Sequence, residues 1–116
     1  MLRTMLKSKI HRATLTGCDL NYEGSISIDS ELLEAAEILP GEQVQVLNVN
    51  NGQRLVTYAI PAPAGSGTVM LNGPAARAGV VGDVLVIITY GLYADSDLTG
   101  YRAKVVKVDG RNRVRE

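Results

Sequence analysis

The segment QVQVLNVNNGQRLVTYAI, residues 43–60, constrains the fold of this chain more than any other stretch. Two runs rich in β-branched residues flank an Asn-Asn-Gly sequence, and these residue types accept the positive φ that tight turns require. The pattern predicts a β-hairpin in the middle of the chain.

Further strand-like runs lie on both sides of this hairpin. Residues 3–16 are predicted to form a long strand, and Ile26-Ser27-Ile28 alternates as a half-buried strand does. Three later runs complete the set: GTVMLNG at 67–73, GDVLVIITYGLY at 82–93 and the segment from residue 101 onward. The total is six or seven short strands.

Helical patterns are confined to two places. In DSELLEAAEILPGE, Asp29 or Ser30 can cap a helix that Pro40-Gly41 stops. The helix would bury one apolar stripe, made of Leu32, Leu33, Ala36 and Leu39. NGPAARAG, residues 72–79, predicts one or two helical turns with Asn72 as the cap.

Length and composition narrow the architecture to one domain. A chain of 116 residues is a single domain by length, here taken as residues 1–116. It contains no Trp or Phe, so its core must be built from Val, Leu, Ile and Ala. Short strands with one or two small helices and such a core predict a mainly β protein, a compact β-barrel.

Charge and targeting signals exclude several classes of partner. Twelve Lys and Arg balance twelve Asp and Glu, which disfavours a nucleic-acid partner. The longest apolar run, residues 84–88, is too short to span a bilayer, and the N-terminus lacks the apolar region of a signal peptide. A single cysteine and a single histidine predict neither a disulfide nor a metal site. We expect a cytoplasmic protein.

The dipeptide Gly24-Ser25 stands at the mouth of a predicted strand. The glycine could simply let the backbone bend there. Alternatively, the hydroxyl of Ser25 could attack the Gly24 carbonyl and move the acyl group from nitrogen to oxygen. Elimination of this ester would leave dehydroalanine, which water hydrolyses to a pyruvoyl group. A second dipeptide, Gly65-Ser66, has the same local chemistry, so the dipeptide alone does not distinguish the two.

Several polar residues have both a structural and a functional interpretation. Lys9 and His11 form either a solvated basic face or the edge of an anion site. Arg54 and Tyr58 share one strand face, with Thr57 on the other, which fits either an amphipathic strand or a carboxylate-binding pocket. The turn that begins at Asn72 is either an ordinary cap or a set of N–H donors for an oxyanion.

Four segments in this order resemble the aspartate 1-decarboxylase family: residues 9–29, 50–60, 72–79 and 82–90. The resemblance covers nearly the whole chain. It implies a double-psi β-barrel with one or two short helices, assembled as a homotetramer with active sites between neighbouring subunits. It also implies self-cleavage between Gly24 and Ser25 into chains 1–24 and 25–116.

The activity implied by this resemblance is the conversion of L-aspartate to β-alanine and CO2 for pantothenate, the precursor of coenzyme A. The cofactor would be a covalent pyruvoyl group formed from Ser25, with no metal and no pyridoxal phosphate. Its ketone would form a Schiff base with the substrate amine. Some members of the family need a maturation factor, so autonomous maturation stays open.

Residue by residue, the resemblance assigns the chemistry to a few positions. Ser25 matches the pyruvoyl precursor, and Gly24 matches the residue whose carbonyl is attacked. Thr57 matches the hydroxyl that assists processing and substrate binding, Tyr58 the proton donor, and Arg54 the carboxylate anchor.

The same resemblance places further residues around the substrate. Lys9, Tyr22 and His11 match residues that line the pocket or assist maturation. The loop that holds the pyruvoyl group and the substrate matches Asn72, Gly73, Ala75 and Ala76. Within this loop Pro74 stands where the family usually has alanine, and proline has no N–H to donate.

Two rival functions remain open at this point. A pyruvoyl enzyme could act on glutamate, which is one methylene longer than aspartate. A non-catalytic small β-barrel could instead serve as an interaction or nucleic-acid module through its basic first strand and the RNRVRE sequence at 111–116.

Overall fold

A computed structural model describes residues 1–115. Its regular elements comprise eight strands, one α-helix and two 3₁₀ helices, at Gly73–Ala78 and Asp95–Leu98. In chain order they are β1 (Leu2–Thr14), β2 (Gly17–Asp19), β3 (Ile26–Asp29), α1 (Ser30–Ala36), β4 (Gln43–Asn48), β5 (Arg54–Ala62), β6 (Val69–Asn72), β7 (Val84–Ala94) and β8 (Lys104–Lys107).

The strands form one mixed sheet in the order β2-β6-β3-β5-β4-β7-β1-β8. The predicted hairpin is confirmed as the antiparallel pair β4 and β5. The mainly β class is confirmed, and the architecture is compatible with a small double-psi β-barrel. The predicted long first strand is confirmed as β1, with 13 residues, and it pairs with β7, which has 11 residues and is therefore not short either. Strand β2 was not predicted.

The core is aliphatic, as the composition predicts. Its fully buried members come from most strands and from α1, and they include Ile10, Leu15, Ile26, Ile28, Leu32, Val44, Val69, Leu71, Leu85 and Ile87. Burial of such side chains stabilises the fold by roughly 1.5–3 kcal/mol each relative to leaving them exposed. The core therefore anchors β3 and β6, the strands that carry the site described below.

Asp29 caps α1, and it is one of the two residues, Asp29 and Ser30, that the sequence offered as the cap. Its carboxylate accepts hydrogen bonds from the backbone N–H groups of Glu31, Gly65 and Gly67, at 2.9, 3.0 and 2.8 Å. Burial opposes the charge, but these N–H donors and the positive charge of Arg113 outweigh it and lower the pKa of Asp29. Asp29 thus ties the start of α1 to the loop between β5 and β6.

The predicted end of this helix is wrong. The helix ends at Ala36 because Glu37 adopts a left-handed conformation, φ 57°, and its N–H returns to the carbonyl groups of the last turn. Ile38 then enters the core, whereas Leu39, predicted to be part of the buried stripe, is 70% exposed.

Strand β3 is also more enclosed than its alternating sequence predicts. It lies between β5, to which it is parallel, and β6, to which it is antiparallel, and all four of its residues are buried. The prediction of a half-buried strand is wrong because the polar residues of β3 find hydrogen-bond partners inside the protein.

Within residues 1–115, no helix is both long and apolar enough to cross a membrane.

Candidate active site

The backbone at Gly24 and Ser25 departs from ordinary conformations. Gly24 has φ 120° and Ser25 has φ 84°, immediately before the paired part of β3 begins at Ile26. A positive φ at a residue with a Cβ costs on the order of 1 kcal/mol, so the surrounding contacts must hold it in place. Ser25 is 2% exposed, and its carbonyl oxygen accepts a hydrogen bond from the backbone N–H of Asn72 at 3.0 Å.

Asn72, the last residue of β6, directs its side chain at the same serine. Its Nδ2 donates to Ser25 Oγ at 3.1 Å and to Ser27 Oγ at 2.8 Å. Its Oδ1 is buried and has no hydrogen-bond partner within residues 1–115. The prediction that the Asn72 side chain caps the following helix is wrong, because this side chain is turned toward β3 and makes no cap hydrogen bond.

Gly73 brings the first 3₁₀ helix against the backbone that precedes Ser25. It has φ 63°, and a Cβ at this position would lie 2.8 Å from both the Gly24 nitrogen and the Tyr22 carbonyl oxygen. Only glycine allows this approach.

These residues border a cleft of about 550 Å³, here called the serine cleft. It is lined by Gly24, Ser25, Gln53, Leu55, Val56, Thr57, Asn72, Pro74, Ala75, Arg77 and Ala78. The structure thus brings Gly24, Ser25, Thr57, Asn72 and Ala75 together. Gly73 and Ala76 are buried beside them.

A second cleft, of about 440 Å³ and here called the arginine cleft, holds three other predicted residues. It is lined by Lys9, His11, Leu47, Asn48, Val49, Gly52, Gln53, Arg54 and Val86. Arg54 donates from Nη1 to Gln45 Oε1 at 2.7 Å, which leaves other guanidinium N–H groups for a carboxylate. Gln53 lines both clefts, so the two share a border.

The alternation of side chains along β5 separates Arg54 from Thr57. Arg54 and Thr57 are three residues apart, and the pairing of β5 with β4 runs from Arg54 to Tyr58 without a bulge. Their side chains therefore lie on opposite faces of the strand. Tyr58 and Tyr22 are 44% and 49% exposed and line neither cleft. A single chain therefore does not bring all the predicted site residues together: they are divided between the two clefts, and Tyr22 and Tyr58 lie in neither.

His11 is surrounded by positive charge. Burial, followed by the charges of Lys9, Arg12 and Lys107, lowers the pKa of His11 below its usual value. The imidazole is therefore mostly neutral at pH 7. Its Nδ1 is buried and has no hydrogen-bond partner within the part of the chain that the structure describes.

Sequence reasoning missed three residues around the serine cleft. Arg77 supplies a cation to the cleft, Gln53 borders both clefts, and Ser27 shares the amide of Asn72 with Ser25. Ser27 stands two residues after Ser25, the spacing that puts two side chains on one face of an extended strand, and this signal was present in the sequence. Within residues 1–115, no group of three or more His, Cys, Asp and Glu side chains could hold a metal ion.

The fold and the clefts define a small, mainly β protein whose polar site is built around one buried serine in a strained conformation. Comparison of the sequence with known proteins agrees with a small, mainly β protein. The sequence model of the aspartate decarboxylase family matches residues 1–115, so the chain belongs to this family.

Individual relatives match over almost their whole length. A protein of Moorella thermoacetica called aspartate 1-decarboxylase is 55% identical over 98% of this chain and 89% of its own length. Its namesake in Acaryochloris marina is 60% identical over 100% of this chain and 88% of its own. The protein of that name in Desulfotalea psychrophila is 51% identical over 100% and 98%.

Proposed function

We propose that this chain is a self-processing decarboxylase that converts L-aspartate to β-alanine and CO2, and so supplies β-alanine for pantothenate. One observation carries the proposal: Ser25 is buried at φ 84° directly after Gly24, with its Oγ 3.1 Å from an amide N–H donor of Asn72. An ordinary serine at a strand entrance needs none of these features.

The first reaction would be cleavage of the chain itself. Ser25 Oγ attacks the Gly24 carbonyl carbon, and the acyl bond moves from the Ser25 nitrogen to Oγ. Loss of the Ser25 α-proton then expels the Gly24 carboxylate and leaves dehydroalanine. Water converts this group to a pyruvoyl end and releases ammonia. Strain at residues 24 and 25 favours the first step because the rearrangement relieves it.

The second dipeptide lacks these features. Ser66 is exposed, its φ is not positive, and its Oγ accepts only a local hydrogen bond from Thr68 N–H at 3.3 Å. Ser25, in contrast, is buried, accepts hydrogen bonds from Asn72 at its carbonyl oxygen and its Oγ, and lines the serine cleft together with Thr57. These differences support cleavage after Gly24 rather than after Gly65.

The surroundings of residue 25 also fit a pyruvoyl end group. The Asn72 backbone N–H holds the carbonyl that would lie next to the ketone. Such a group supplies a ketone that binds the substrate amine and accepts the electron pair left by departing CO2. Pairing of β3 on both sides keeps the new chain end in a fixed position.

Arg54 and Lys9 would recognise the substrate carboxylates, and Tyr58 would return the proton after decarboxylation. Since these residues lie outside the serine cleft of their own chain, the active site would form between neighbouring subunits of a homotetramer. Exposed apolar side chains on β5 and β7, namely Val56, Tyr58, Tyr90 and Leu92, support such a contact. Tyr22 and His11 would complete the pocket or assist maturation.

Mass spectrometry of the purified protein tests the proposal. We expect two chains separated between residues 24 and 25, with the larger lacking its N-terminal amine. Ser25→Ala should block cleavage, and the matched variant Ser66→Ala should not. A chain that stays intact on prolonged warming would contradict autonomous maturation, and cleavage restored by cell extract would indicate an activating factor. CO2 release from L-aspartate and from L-glutamate then determines the substrate.

A further inference from the structure

We infer that Ser27 is a positioning residue for cleavage of the chain: it fixes the amide of Asn72 so that an N–H faces Ser25 Oγ. The inference rests on the proposed self-cleavage at Gly24-Ser25. Ser27 itself does not touch the bond that breaks.

The geometry places Ser27 beside the Asn72 amide. Asn72 Nδ2 lies 2.8 Å from Ser27 Oγ and 3.1 Å from Ser25 Oγ, so the shorter of its two hydrogen bonds is the one to Ser27. Ser27 is 6% exposed, and antiparallel pairing of Ile26 with Leu71 aligns the two strands beside it.

The orientation of the amide determines what Ser25 can do. With an N–H toward Ser25, the serine oxygen accepts a hydrogen bond, which stabilises the negative charge that develops as it loses its proton. If the amide rotated by 180°, Oδ1 would face Ser25 and accept a hydrogen bond from its hydroxyl. The hydroxyl would then act as a donor and would keep its proton. Only the first orientation assists attack on the Gly24 carbonyl.

Ser27 favours the first orientation through its oxygen. In the observed arrangement, both N–H groups of the amide have acceptors and only Oδ1 is unpartnered. In the rotated amide, Oδ1 would instead accept hydrogen bonds from the hydroxyl groups of both Ser25 and Ser27. A buried unpaired donor is costly. Without the Ser27 hydroxyl, the observed orientation leaves one amide N–H unpaired, whereas Oδ1 of the rotated amide would still be paired with Ser25. Removing the hydroxyl therefore reduces the preference for the observed orientation.

The test measures the half-time of cleavage of freshly purified full-length precursor. We expect Ser27→Ala to cleave about tenfold more slowly than the wild type, and Ser27→Thr, which keeps the hydroxyl, to cleave within about threefold of it. Thermal unfolding of each variant is measured in parallel.

Ser8→Ala is the matched control. Like Ser27, Ser8 is buried, and its Oγ lies 2.7 Å from Thr89 Oγ1, but Ser8 lies on β1 and lines neither cleft. Its loss should lower the melting temperature without slowing cleavage.

Three results would overturn the inference. Ser27→Ala could cleave at the wild-type rate, Ser27→Thr could be as slow as Ser27→Ala, or Ser8→Ala could slow cleavage as much as Ser27→Ala does. In each case the wild type still cleaves, so the proposed function stands. A wild-type chain that never cleaves between residues 24 and 25 would overturn the proposed self-processing and this inference together.

Discussion

Gly73 is packed against Gly24 so closely that a Cβ at Gly73 would lie 2.8 Å from the Gly24 nitrogen. The strained segment before Ser25 is therefore held from outside by the first turn of a 3₁₀ helix. A substitution that pushes the two backbones apart should change the geometry of the bond that we propose is cleaved.

Gly73→Ala should slow cleavage at least about tenfold, because the methyl group displaces the Gly24 backbone. Gly100→Ala is the control, since Gly100 has a similar φ, 77°, but a methyl group added there would meet no atom within 4 Å. Both variants carry strain at a positive φ, and only one contacts residue 24. Equal cleavage rates in the two variants, measured by gel electrophoresis over time, would disprove the role of this contact.

Asn72→Ala should also slow cleavage at least about tenfold, because it removes the N–H donated to Ser25 Oγ. Asn112→Ala serves as a control. Asn112 is 1% exposed and binds the backbone of Thr14 and Gly67, so its loss should lower the melting temperature while cleavage continues. If both variants slow cleavage in proportion to lost stability, Asn72 has only a structural role.

Arg54 and Arg77 line different clefts, which allows their roles to be separated. If Arg54 anchors a substrate carboxylate, Arg54→Gln should raise the KM for L-aspartate by about tenfold or more in the cleaved enzyme. Arg77→Gln should change KM less. Steady-state CO2 release measures the KM of both variants. A larger rise in KM for Arg77→Gln would mean that Arg77, in the serine cleft, binds the substrate carboxylate.

Asp29 should make the folded protein sensitive to acid. Because the pKa of Asp29 is lowered in the folded chain, its stabilising contribution is present at neutral pH and is lost as the pH falls below about 4. Asp29→Asn should lower the free energy of unfolding at pH 7 by about 1–3 kcal/mol and flatten this acid dependence.

Asp95→Asn is the comparison for this prediction. Asp95 meets Arg3 in an exposed ion pair, so its loss should cost under about 1 kcal/mol. Denaturant titrations at several pH values measure both variants, and an Asp29→Asn curve parallel to the wild type would contradict the assignment.

Pro74 lies at the beginning of the 3₁₀ helix and lines the serine cleft. Proline at this position gives up a donor that the first turn of a helix leaves unpaired. Pro74→Ala should therefore change the decarboxylation rate less than about tenfold. A larger increase in turnover would mean that the missing N–H limits catalysis.

Local sequence was sufficient for much of the fold. Alternation and turn residues predicted the β4–β5 hairpin, and Asp29 was one of two predicted caps. The position of Leu39 was wrong because a left-handed Glu37 ends the helix early, which hydrophobic spacing does not report. The three-residue strand β2 carries too few residues for a periodic pattern, and only its pairing with β6 defines it.

The sequence by itself determined the aliphatic core, the mainly β class and the family to which the chain belongs, because each depends on residue types and their order. The local chemistry of the dipeptide did not distinguish Ser25 from Ser66, since both follow a glycine, and only the resemblance to the family selected Ser25. The tertiary structure separates them: Ser25 meets Asn72, 47 residues away in the chain, in a buried and strained position, whereas Ser66 lies exposed. Hydrogen bonds between distant segments exist only once the strands have paired, so their effect on a serine cannot be read from its neighbours in sequence.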